Sequence, residues 1–271
     1  MDDLYAVLLK GCFVIAGTCV MESEDIVMRV AEACATICGE RRLTYVFKAS
    51  FDKANRTAAG SFRGVGIERG LKLLQKVKER FSVPVTTDIH ESCQAAYVGE
   101  VADIIQIPAF LCRQTDLLLS AANTGRIVNI KKGQFLSAAE MAYPAEKVRS
   151  AGNDKIILTE RGTMFGYNNL VVDFRNLVDM RKFGFPVVID VTHSVQRPGG
   201  LGGRSGGDRK YAEAIAKAAA AVGADGYFFE VHPDPDNALS DGPNMIPTGK
   251  FAEFLDKTLQ FHYLNSGGHG G

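Results

Sequence analysis

Residues 44–57 read Thr44-Tyr45-Val46-Phe47-Lys48-Ala49-Ser50-Phe51-Asp52-Lys53-Ala54-Asn55-Arg56-Thr57, a short apolar strand that runs directly into a cationic loop. Because lysine and arginine repel one another at this spacing, the loop predicts a site for an anionic ligand such as a carboxylate or a phosphate. A solvated basic loop is the alternative. An amphipathic helix is predicted from about residue 67 to residue 81, and it completes a unit of strand, polar loop and helix.

The same unit of a strand followed by a helix occurs eight times along the chain. The predicted strands cover residues 13–17, 44–47, 83–87, 104–107, 127–130, 156–158, 187–191 and 227–229. The predicted helices cover about residues 23–38, 67–81, 93–99, 115–123, 137–151, 175–182, 209–222 and 248–264. Parallel strands close with a packed interior when there are eight of them. We therefore predict an α/β fold, a (β/α)8 TIM barrel that forms a single domain over residues 1–271, with an open doubly wound sheet as the alternative.

The composition argues against a nucleic-acid or membrane partner. The 271 residues include 31 basic and 31 acidic side chains, so the chain has no net charge and any anion binding must be local. The N-terminus is acidic where a signal peptide is basic, and no apolar run approaches the roughly 18 residues of a membrane span. Six cysteines without zinc-finger spacing or disulfide-framework density indicate reduced thiols. We predict a soluble, cytoplasmic protein.

Two glycine-rich segments interrupt the pattern of strands and helices. Residues 197–207, Arg-Pro-Gly-Gly-Leu-Gly-Gly-Arg-Ser-Gly-Gly, lie between the seventh strand and its helix. So much glycine makes a single ordered conformation entropically costly. Because the loops after the strands form the catalytic face of a barrel, we predict a mobile lid here, with a simple linker as the alternative. The tail at residues 266–271 is predicted to be disordered.

Polar residues at the carboxyl ends of the strands fall into two chemical groups, and in a barrel these positions form the active site. One group is cationic and follows strands two, four, five and six: Lys48, Lys53, Arg56, Arg113, Lys131 and Arg161. The other consists of potential metal ligands that follow strands one, seven and eight: Cys19, His193, Glu230 and Asp241. Strand eight of a closed barrel lies between strands seven and one, so these four residues are expected to converge.

The two groups predict an anionic substrate, with phosphate and carboxylate groups, that binds beside a metal. Thiolate, imidazole and carboxylate ligands together suit a divalent transition metal better than Mg²⁺ or Ca²⁺. Each residue also has a structural alternative, since a lone cysteine is often a core residue and a lone histidine is often a hydrogen-bonded one. A Schiff-base aldolase, in which a desolvated lysine attacks a carbonyl, is a further alternative, although no lysine is singled out for that role.

Most strand ends carry a distinctive motif: Lys48-Ala-Ser-Phe-Asp-Lys-Ala-Asn-Arg56, Gln106-Ile-Pro-Ala-Phe-Leu-Cys-Arg-Gln-Thr-Asp116, Asn129-Ile-Lys-Lys132, Arg161-Gly, Phe165-Gly-Tyr-Asn-Asn-Leu-Val-Val-Asp173, Asp190-Val-Thr-His193 and Glu230-Val-His-Pro-Asp-Pro235. These motifs closely resemble those of the 3-deoxy-D-manno-octulosonate 8-phosphate synthase family, and the resemblance spans nearly the whole chain. It implies a (β/α)8 homotetramer that condenses phosphoenolpyruvate with D-arabinose 5-phosphate. The products would be the eight-carbon sugar phosphate and inorganic phosphate, on the route to lipopolysaccharide.

The resemblance also implies a role for each matching residue. Phosphoenolpyruvate would be held by Lys48, Ser50, Lys53, Gln106, Lys131, Arg161 and His193. Arabinose 5-phosphate would be held by Asn55, Arg56 and Thr57, with Arg113 reaching its phosphate from a neighbouring subunit. Thr57 stands where the family usually has serine, and it keeps the hydroxyl. Lys131 would help to clamp the phosphate and Lys53 would polarise or protonate the aldehyde oxygen, so the predicted catalytic residues are Lys53, Lys131 and His193.

The stretch Gly17-Thr18-Cys19-Val20-Met21-Glu22-Ser23 distinguishes two branches of that family, because cysteine occurs in the metal-dependent branch and asparagine in the metal-independent one. The resemblance therefore implies one metal per subunit, bound by Cys19, His193, Glu230 and Asp241. Zinc, iron, manganese or cobalt would suit such a site.

Two other functions stay open as alternatives. A related synthase uses erythrose 4-phosphate, but it carries a Lys-Pro-Arg-Thr-Ser type motif where this chain has Lys-Ala-Asn-Arg, which disfavours it. A barrel that binds sugar phosphates without catalysis is the second alternative, because the fold alone does not establish activity.

Overall fold

Eight parallel strands form a closed barrel in which the strands pair in chain order. The computed structural model of the protein describes residues 3–56, 58–165, 167–200 and 206–266. The strands are β1 Phe13–Gly17, β2 Thr44–Lys48, β3 Val85–Asp88, β4 Ile104–Ile107, β5 Ile127–Lys131, β6 Ile156–Glu160, β7 Val187–Asp190 and β8 Gly226–His232. The ring closes where β1 pairs in parallel with β8, from Phe13 opposite Gly226 to Gly17 opposite Glu230. The predicted (β/α)8 barrel is confirmed, and the open sheet is excluded.

The interior of the barrel is filled by apolar side chains from several of its strands. It contains Phe13, Ile15, Val46, Ile104, Ile127, Ile157, Val188 and Phe228, together with Leu8 from the N-terminus. A larger apolar cluster forms the main core and includes residues from both the strands and the helices, such as Val14 of β1 and Val30 of the helix that follows it. Because the strands are buried on both faces, they read as nearly continuous apolar runs, and this explains why the sequence pattern located them.

A short N-terminal helix, Leu4–Leu8, lies against the amino-terminal end of the barrel, and the sequence analysis did not predict it. Leu8 packs into the barrel interior, and the Tyr5 hydroxyl donates a hydrogen bond to the Ile156 carbonyl oxygen at 3.0 Å. Five residues are too few for a helical periodicity to be visible in a sequence.

The helices that follow the strands are α1 Glu24–Glu40, α2 Ile67–Phe81, α3 Gln94–Val101, α4 Thr115–Ala122, α5 Ala142–Ser150, α6 Arg175–Arg181, α7 Ala212–Val222 and α8 Thr248–Ser266. The cap of α1 is Ser23, whose Oγ accepts a hydrogen bond from the Ile26 amide at 3.3 Å. Helices α5 and α7 begin later than predicted because the 3-10 turns Ala139–Met141 and Arg209–Tyr211 precede them. Among the described residues, no helix is long and apolar enough to cross a membrane.

The two glycine-rich segments are described in part. The base of the predicted lid is an antiparallel pair, Gln196–Arg197 with Gly206–Gly207, and residues 201–205 lie outside the described part of the chain. A Cβ atom at residue 207 would lie 1.3 Å from Asn244 Oδ1, so any residue other than glycine there would require the buried Asn244 side chain to move. Helix α8 includes Ser266, the first residue of the predicted disordered tail, and residues 267–271 lie outside the described residues.

Candidate active site

A cavity of about 660 Å³ opens at the carboxyl ends of the strands. Most of the predicted site residues line it: Lys48, Lys53, Asn55, Arg56, Gln106, Lys131, Arg161, His193 and Asp241. The topology explains this convergence, because parallel strands of a barrel all end at the same rim. Of the other predicted residues that the structure describes, Cys19, Ser50 and Glu230 are buried, and Arg113 is exposed and does not line the cavity.

Buried cations form one side of the cavity. Lys48 and Lys131 both lie over the ring of Phe228, with their Nζ atoms 5.7 Å and 3.8 Å from the ring centroid. Burial lowers the pKa of Lys131, and its ion pair with Asp190 opposes that effect. Burial also lowers the pKa of Arg161, whose Nη1 has no hydrogen-bond partner among the described residues. An anionic ligand would compensate this concentration of positive charge.

Ser50 connects the second and third strands below the cavity. The Lys48 ammonium donates a hydrogen bond to Ser50 Oγ at 2.7 Å, and Ser50 in turn donates a short hydrogen bond to Asp88. The other carboxylate oxygen of Asp88 lies 3.1 Å from His90 Nε2. Burial alone would raise the pKa of Asp88, but Lys48 and then His90 hold it well below its ordinary value of 3.8. Asp88 is therefore a carboxylate that keeps Lys48 in position.

This low pKa predicts a pH-dependent contribution of Asp88 to stability. A carboxyl whose pKa is lower in the folded state stabilises the fold above its unfolded pKa, and the contribution is lost as the pH falls through the folded value. We expect the free energy of unfolding of the wild type, measured in urea, to decrease more steeply between about pH 5 and pH 3 than that of Asp88→Asn. Parallel pH profiles for the two proteins would contradict the assignment.

The loop after β1 is held against the loop after β2, and this contact places Cys19. Glycine at residue 17 permits the close approach, since a Cβ atom there would lie 1.9 Å from the Lys48 carbonyl oxygen. Beyond it, the Met21 amide donates a hydrogen bond to the Ser50 carbonyl oxygen at 2.9 Å. Cys19 is completely buried, and its thiol points to the loop that carries Ser240 and Asp241.

Cys19, Glu230 and Asp241 form a group that fits a metal ion, since their ligand atoms all lie within 4.8 Å of one another. The Cys19 thiol donates to Asp241 Oδ2 at 3.1 Å, and the Ser240 hydroxyl contacts both the thiol and that carboxylate at 2.9 Å. Both carboxylate oxygens of Glu230 are buried without a hydrogen-bond partner among the described residues. A buried carboxylate without partners is costly, and a divalent cation would satisfy it.

The charge balance of this group also favours a cation. Burial and the nearby Glu230 carboxylate raise the pKa of the Cys19 thiol well above its ordinary value. A thiolate at this position therefore requires additional positive charge, and a divalent transition metal supplies it. Burial lowers the pKa of Lys53, but nearby acidic groups, among them Glu230 and Asp88, raise it by more. Its Nζ lies 3.9 Å from Glu230 Oε1.

His193 lies between the cationic side of the cavity and the metal-ligand group. It belongs to the short helix Val191–Ser194, whose N-cap is Asp190. The predicted strand included Val191, but β7 ends one residue earlier, at Asp190. The Asp190 carboxylate accepts hydrogen bonds from the His193 backbone amide at 2.9 Å and from Nδ1 at 2.7 Å. That bond directs Nε2 toward Glu230 Oε1, 3.4 Å away. Burial opposes the charge of Asp190, but His193 and then Lys131 lower its pKa.

The residues predicted to bind the sugar phosphate are less completely placed. Asn55 and Arg56 line the cavity, and the Arg56 Nε donates to the Phe62 carbonyl oxygen at 3.2 Å. Thr57 lies outside the described residues. Arg113 is exposed in a turn after β4 and does not line the cavity, so the chain described here does not bring it to the other residues. Its carbonyl oxygen accepts a hydrogen bond from Lys147 at 2.8 Å.

Four residues that organise this site were not among the predicted site residues: Asp88, Asp190, Gln196 and Ser240. Asp88 and Asp190 end β3 and β7, so their position at strand ends was a usable signal. Gln196 lies three positions after His193, and Ser240 lies directly before Asp241. Only their hydrogen bonds distinguish these two residues from ordinary loop residues.

Together, the (β/α)8 barrel, its cation-lined cavity and the adjoining thiol and carboxylate group define an enzyme that acts on a polyanionic substrate. The chain belongs to the DAHP synthetase I family, whose profile matches residues 10–264. It is 56% identical over 245 residues to the 2-dehydro-3-deoxyphosphooctonate aldolase of Cyanothece sp., covering 90% of each chain. It is 60% identical over 230 residues to the protein of that name from Synechococcus sp., covering 85% of this chain and 81% of the relative. It is 53% identical over 258 residues to the protein of that name from Fusobacterium nucleatum, covering 95% of this chain and 93% of the relative.

Proposed function

We propose that this protein is a 3-deoxy-8-phosphooctulonate synthase. It condenses phosphoenolpyruvate, D-arabinose 5-phosphate and water to 3-deoxy-D-manno-octulosonate 8-phosphate and inorganic phosphate, in the biosynthesis of Kdo for lipopolysaccharide. The observation that carries the proposal is the convergence of Lys48, Lys131 and Arg161 at one cavity in a chain whose relatives carry the name of this activity. We further propose that the protein works in the cytoplasm.

The cationic side of the cavity accounts for binding of phosphoenolpyruvate. Lys131 and Arg161 clamp its phosphate, and Lys48, Ser50, Lys53, Gln106 and His193 complete the predicted set around the rest of the molecule. Gln106 supports this role because it lines the cavity and its side-chain amide nitrogen can donate hydrogen bonds to an anionic group. Asn55, Arg56 and Thr57 are assigned to arabinose 5-phosphate. Fixed cations of this kind stabilise charge without reorganisation during the reaction.

The reaction forms a carbon–carbon bond between the substrates and a carbon–oxygen bond to water, and it breaks the carbon–oxygen bond to phosphate. Carbon 3 of phosphoenolpyruvate attacks the aldehyde carbon of the sugar while water adds at carbon 2, and the tetrahedral intermediate then expels phosphate. Lys53 donates a hydrogen bond or a proton to the aldehyde oxygen. The Lys53 ammonium lies 3.9 Å from the Glu230 carboxylate, and this contact favours a charged hydrogen-bond donor over the neutral amine that a Schiff base requires.

We propose that Cys19, His193, Glu230 and Asp241 hold one divalent transition metal, Zn²⁺, Fe²⁺, Mn²⁺ or Co²⁺, which places the chain in the metal-dependent branch. The metal supplies a positive centre that positions water or the sugar beside the phosphoenolpyruvate. The two buried Glu230 oxygens, which have no hydrogen-bond partner among the described residues, support this proposal.

We also propose that the protein is a homotetramer. Exposed apolar side chains lie on the segments that follow β4, β5 and β6, among them Phe110, Phe135, Met164 and Phe165, whose exposed fraction is 75%. Contiguous exposed apolar groups favour association with another chain, and a second copy would cover them. Arg113 is exposed in the same segment after β4, three residues beyond Phe110, and this exposure supports its reach into the cavity of a neighbouring subunit.

The role of Arg113 leads to a kinetic prediction. Arg113→Ala should raise the KM for arabinose 5-phosphate by about tenfold or more, because a charge-assisted hydrogen bond to phosphate is lost, and should leave the KM for phosphoenolpyruvate nearly unchanged. Steady-state kinetics with each substrate varied in turn measures both values. Arg149→Ala is a suitable control, because Arg149 pairs with the exposed Asp154 on the surface. An equal rise in both KM values would contradict the assignment.

The proposed function is tested by phosphate release from phosphoenolpyruvate, with arabinose 5-phosphate and erythrose 4-phosphate compared as acceptors. Release that requires arabinose 5-phosphate supports the proposal. Faster release with erythrose 4-phosphate would assign the chain to the other synthase. Binding of both ligands without phosphate release under any metal condition would identify a catalytically silent sugar-phosphate-binding barrel.

A further inference from the structure

We propose that Gln196 is a positioning residue that links Arg161, in the anion-binding part of the cavity, to Asp241 in the candidate metal site. The inference rests on the proposed function, since it concerns the phosphate clamp and the metal ligands of that reaction. Gln196 follows the short helix Val191–Ser194, begins the antiparallel pair at the base of the glycine-rich segment, and lines the cavity. Gln196 is not one of the predicted site residues.

The side-chain amide of Gln196 bridges a cation and an anion. Its Oε1 accepts a hydrogen bond from Arg161 Nη2 at 3.0 Å, and its Nε2 donates one to Asp241 Oδ1 at 2.9 Å. Only this orientation of the amide satisfies both partners, because a flipped amide would direct its NH2 group at the guanidinium and its oxygen at the carboxylate. The bridge therefore fixes the guanidinium and the carboxylate relative to each other.

The bridge leaves the functional atoms of both partners available. Arg161 Nη1 is buried and has no hydrogen-bond partner among the described residues, so it is available to an anionic ligand. Asp241 Oδ2, the oxygen that Gln196 does not contact, faces the Cys19 thiol at 3.1 Å. A direct ion pair between Arg161 and Asp241 would occupy both groups, and the neutral amide between them prevents that pairing.

Because one side chain holds both groups, binding at the two sites is expected to be coupled. A metal ion that fixes the Asp241 carboxylate also fixes the Gln196 amide and, through it, the Arg161 guanidinium. Phosphoenolpyruvate should therefore bind more tightly to the metal-loaded protein, and the metal should bind more tightly in the presence of phosphoenolpyruvate by the same factor.

The test uses Gln196→Met, which keeps the length of the side chain and removes both hydrogen bonds. Isothermal titration calorimetry with phosphoenolpyruvate, on chelator-treated and Co²⁺-loaded protein, measures the coupling. We expect Co²⁺ to increase the affinity of the wild type for phosphoenolpyruvate by about tenfold, which is the size of effect that hydrogen bonds to charged groups produce. Co²⁺ should leave the affinity of Gln196→Met for phosphoenolpyruvate nearly unchanged. The thiolate-to-cobalt absorption band should also shift when phosphoenolpyruvate binds to the wild type but not when it binds to the variant.

Two further variants make the test decisive. Gln260→Met places the same substitution on the exposed surface of α8 and should behave like the wild type. Gln196→Asn keeps an amide on a side chain that is too short to reach both Arg161 and Asp241. It should therefore also lose the coupling between Co²⁺ and phosphoenolpyruvate binding. This variant replaces Gln196→Met in the test if the methionine variant does not fold. Coupling within about twofold of the wild-type value in both Gln196 variants would overturn the role of Gln196 and leave the proposed function standing. A wild type that binds neither phosphoenolpyruvate nor Co²⁺ would overturn the proposed function itself.

Discussion

Replacing Lys131 by methionine is expected to lower kcat/KM for phosphate release by about 10³-fold or more, with the fold retained. The buried Lys131 ammonium pairs with Asp190 and lies over the Phe228 ring, where it faces the cavity. In such a water-poor site, a fixed positive charge stabilises the phosphate that leaves far more than solvent would. Steady-state phosphate release and the circular dichroism spectrum together measure the two parts of the prediction.

The adjacent lysine is a matched control, because it is equally buried and points away from the cavity. Lys132 Nζ donates hydrogen bonds to the Leu136 carbonyl oxygen at 2.9 Å and to Thr163 Oγ1 at 3.0 Å, and it lies 3.7 Å from Glu160 Oε1. Lys132→Met should therefore lower the free energy of unfolding by about 3 kcal/mol, because a buried carboxylate loses its cation.

Both substitutions replace a buried lysine by methionine, so any difference between their effects is due to the position of the side chain. Both substitutions should lower the free energy of unfolding, because each leaves a buried carboxylate without its cation. Only Lys131→Met should also lower the activity of the folded fraction strongly, whereas Lys132→Met should leave that activity nearly unchanged. Equal losses of activity per folded molecule in the two variants would show that the two side chains do not have the separate roles that their contacts indicate.

Removing the metal is expected to lower phosphate release by the wild type at least about 100-fold, and adding Mn²⁺ or Co²⁺ should restore it. Cys19→Asn should behave differently and keep measurable activity in the presence of chelator. The asparagine amide is neutral and donates hydrogen bonds, so it can hold Asp241 through the oxygen that lies 3.1 Å from the Cys19 sulfur. The comparison tests whether the metal mainly positions the groups around it.

Cys19→Ala is the matched control for this experiment, because it removes the thiol without supplying a hydrogen-bond donor. It should be inactive in chelator and should recover poorly when metal is added, since one ligand is missing. Metal analysis of each protein confirms the loading. Complete inactivity of folded Cys19→Asn in chelator would overturn the positioning role and favour a direct chemical role of the metal.

Much of the candidate site was predictable because the fold that the sequence indicates also determines where the site lies. Once the apolar runs indicate a barrel, every residue just after a strand is expected at one rim, and Lys48, Lys131, Arg161 and His193 do lie together there. The same rule grouped Cys19 with Glu230 and Asp241, because β8 pairs with β1. Neither inference required knowledge of a side-chain contact.

Contacts between residues distant in the chain were not predictable. Asp190 pairs with Lys131 across 59 positions, and Gln196 reaches Asp241 across 45. Alternation along β5 places Lys131 on the same face as Ile127, whereas Lys132 lies beyond the strand, and its contacts with Leu136 and Thr163 had no signal in the sequence. The direction of a side chain at the end of a strand depends on the local backbone, which periodicity does not describe beyond the last regular residue.

The sequence by itself determined the class of fold, the rim at which the site lies and the chemical character of the two groups that form it. Strand periodicity and strand order are local and topological properties, so the order of residues is sufficient to specify them. The tertiary structure alone decided that the buried Glu230 oxygens have no hydrogen-bond partner among the described residues, that Asp190 orients His193, and that Gln196 joins the two groups. These features depend on burial and on distances of a few ångströms between separate loops, and both exist only after the barrel has closed.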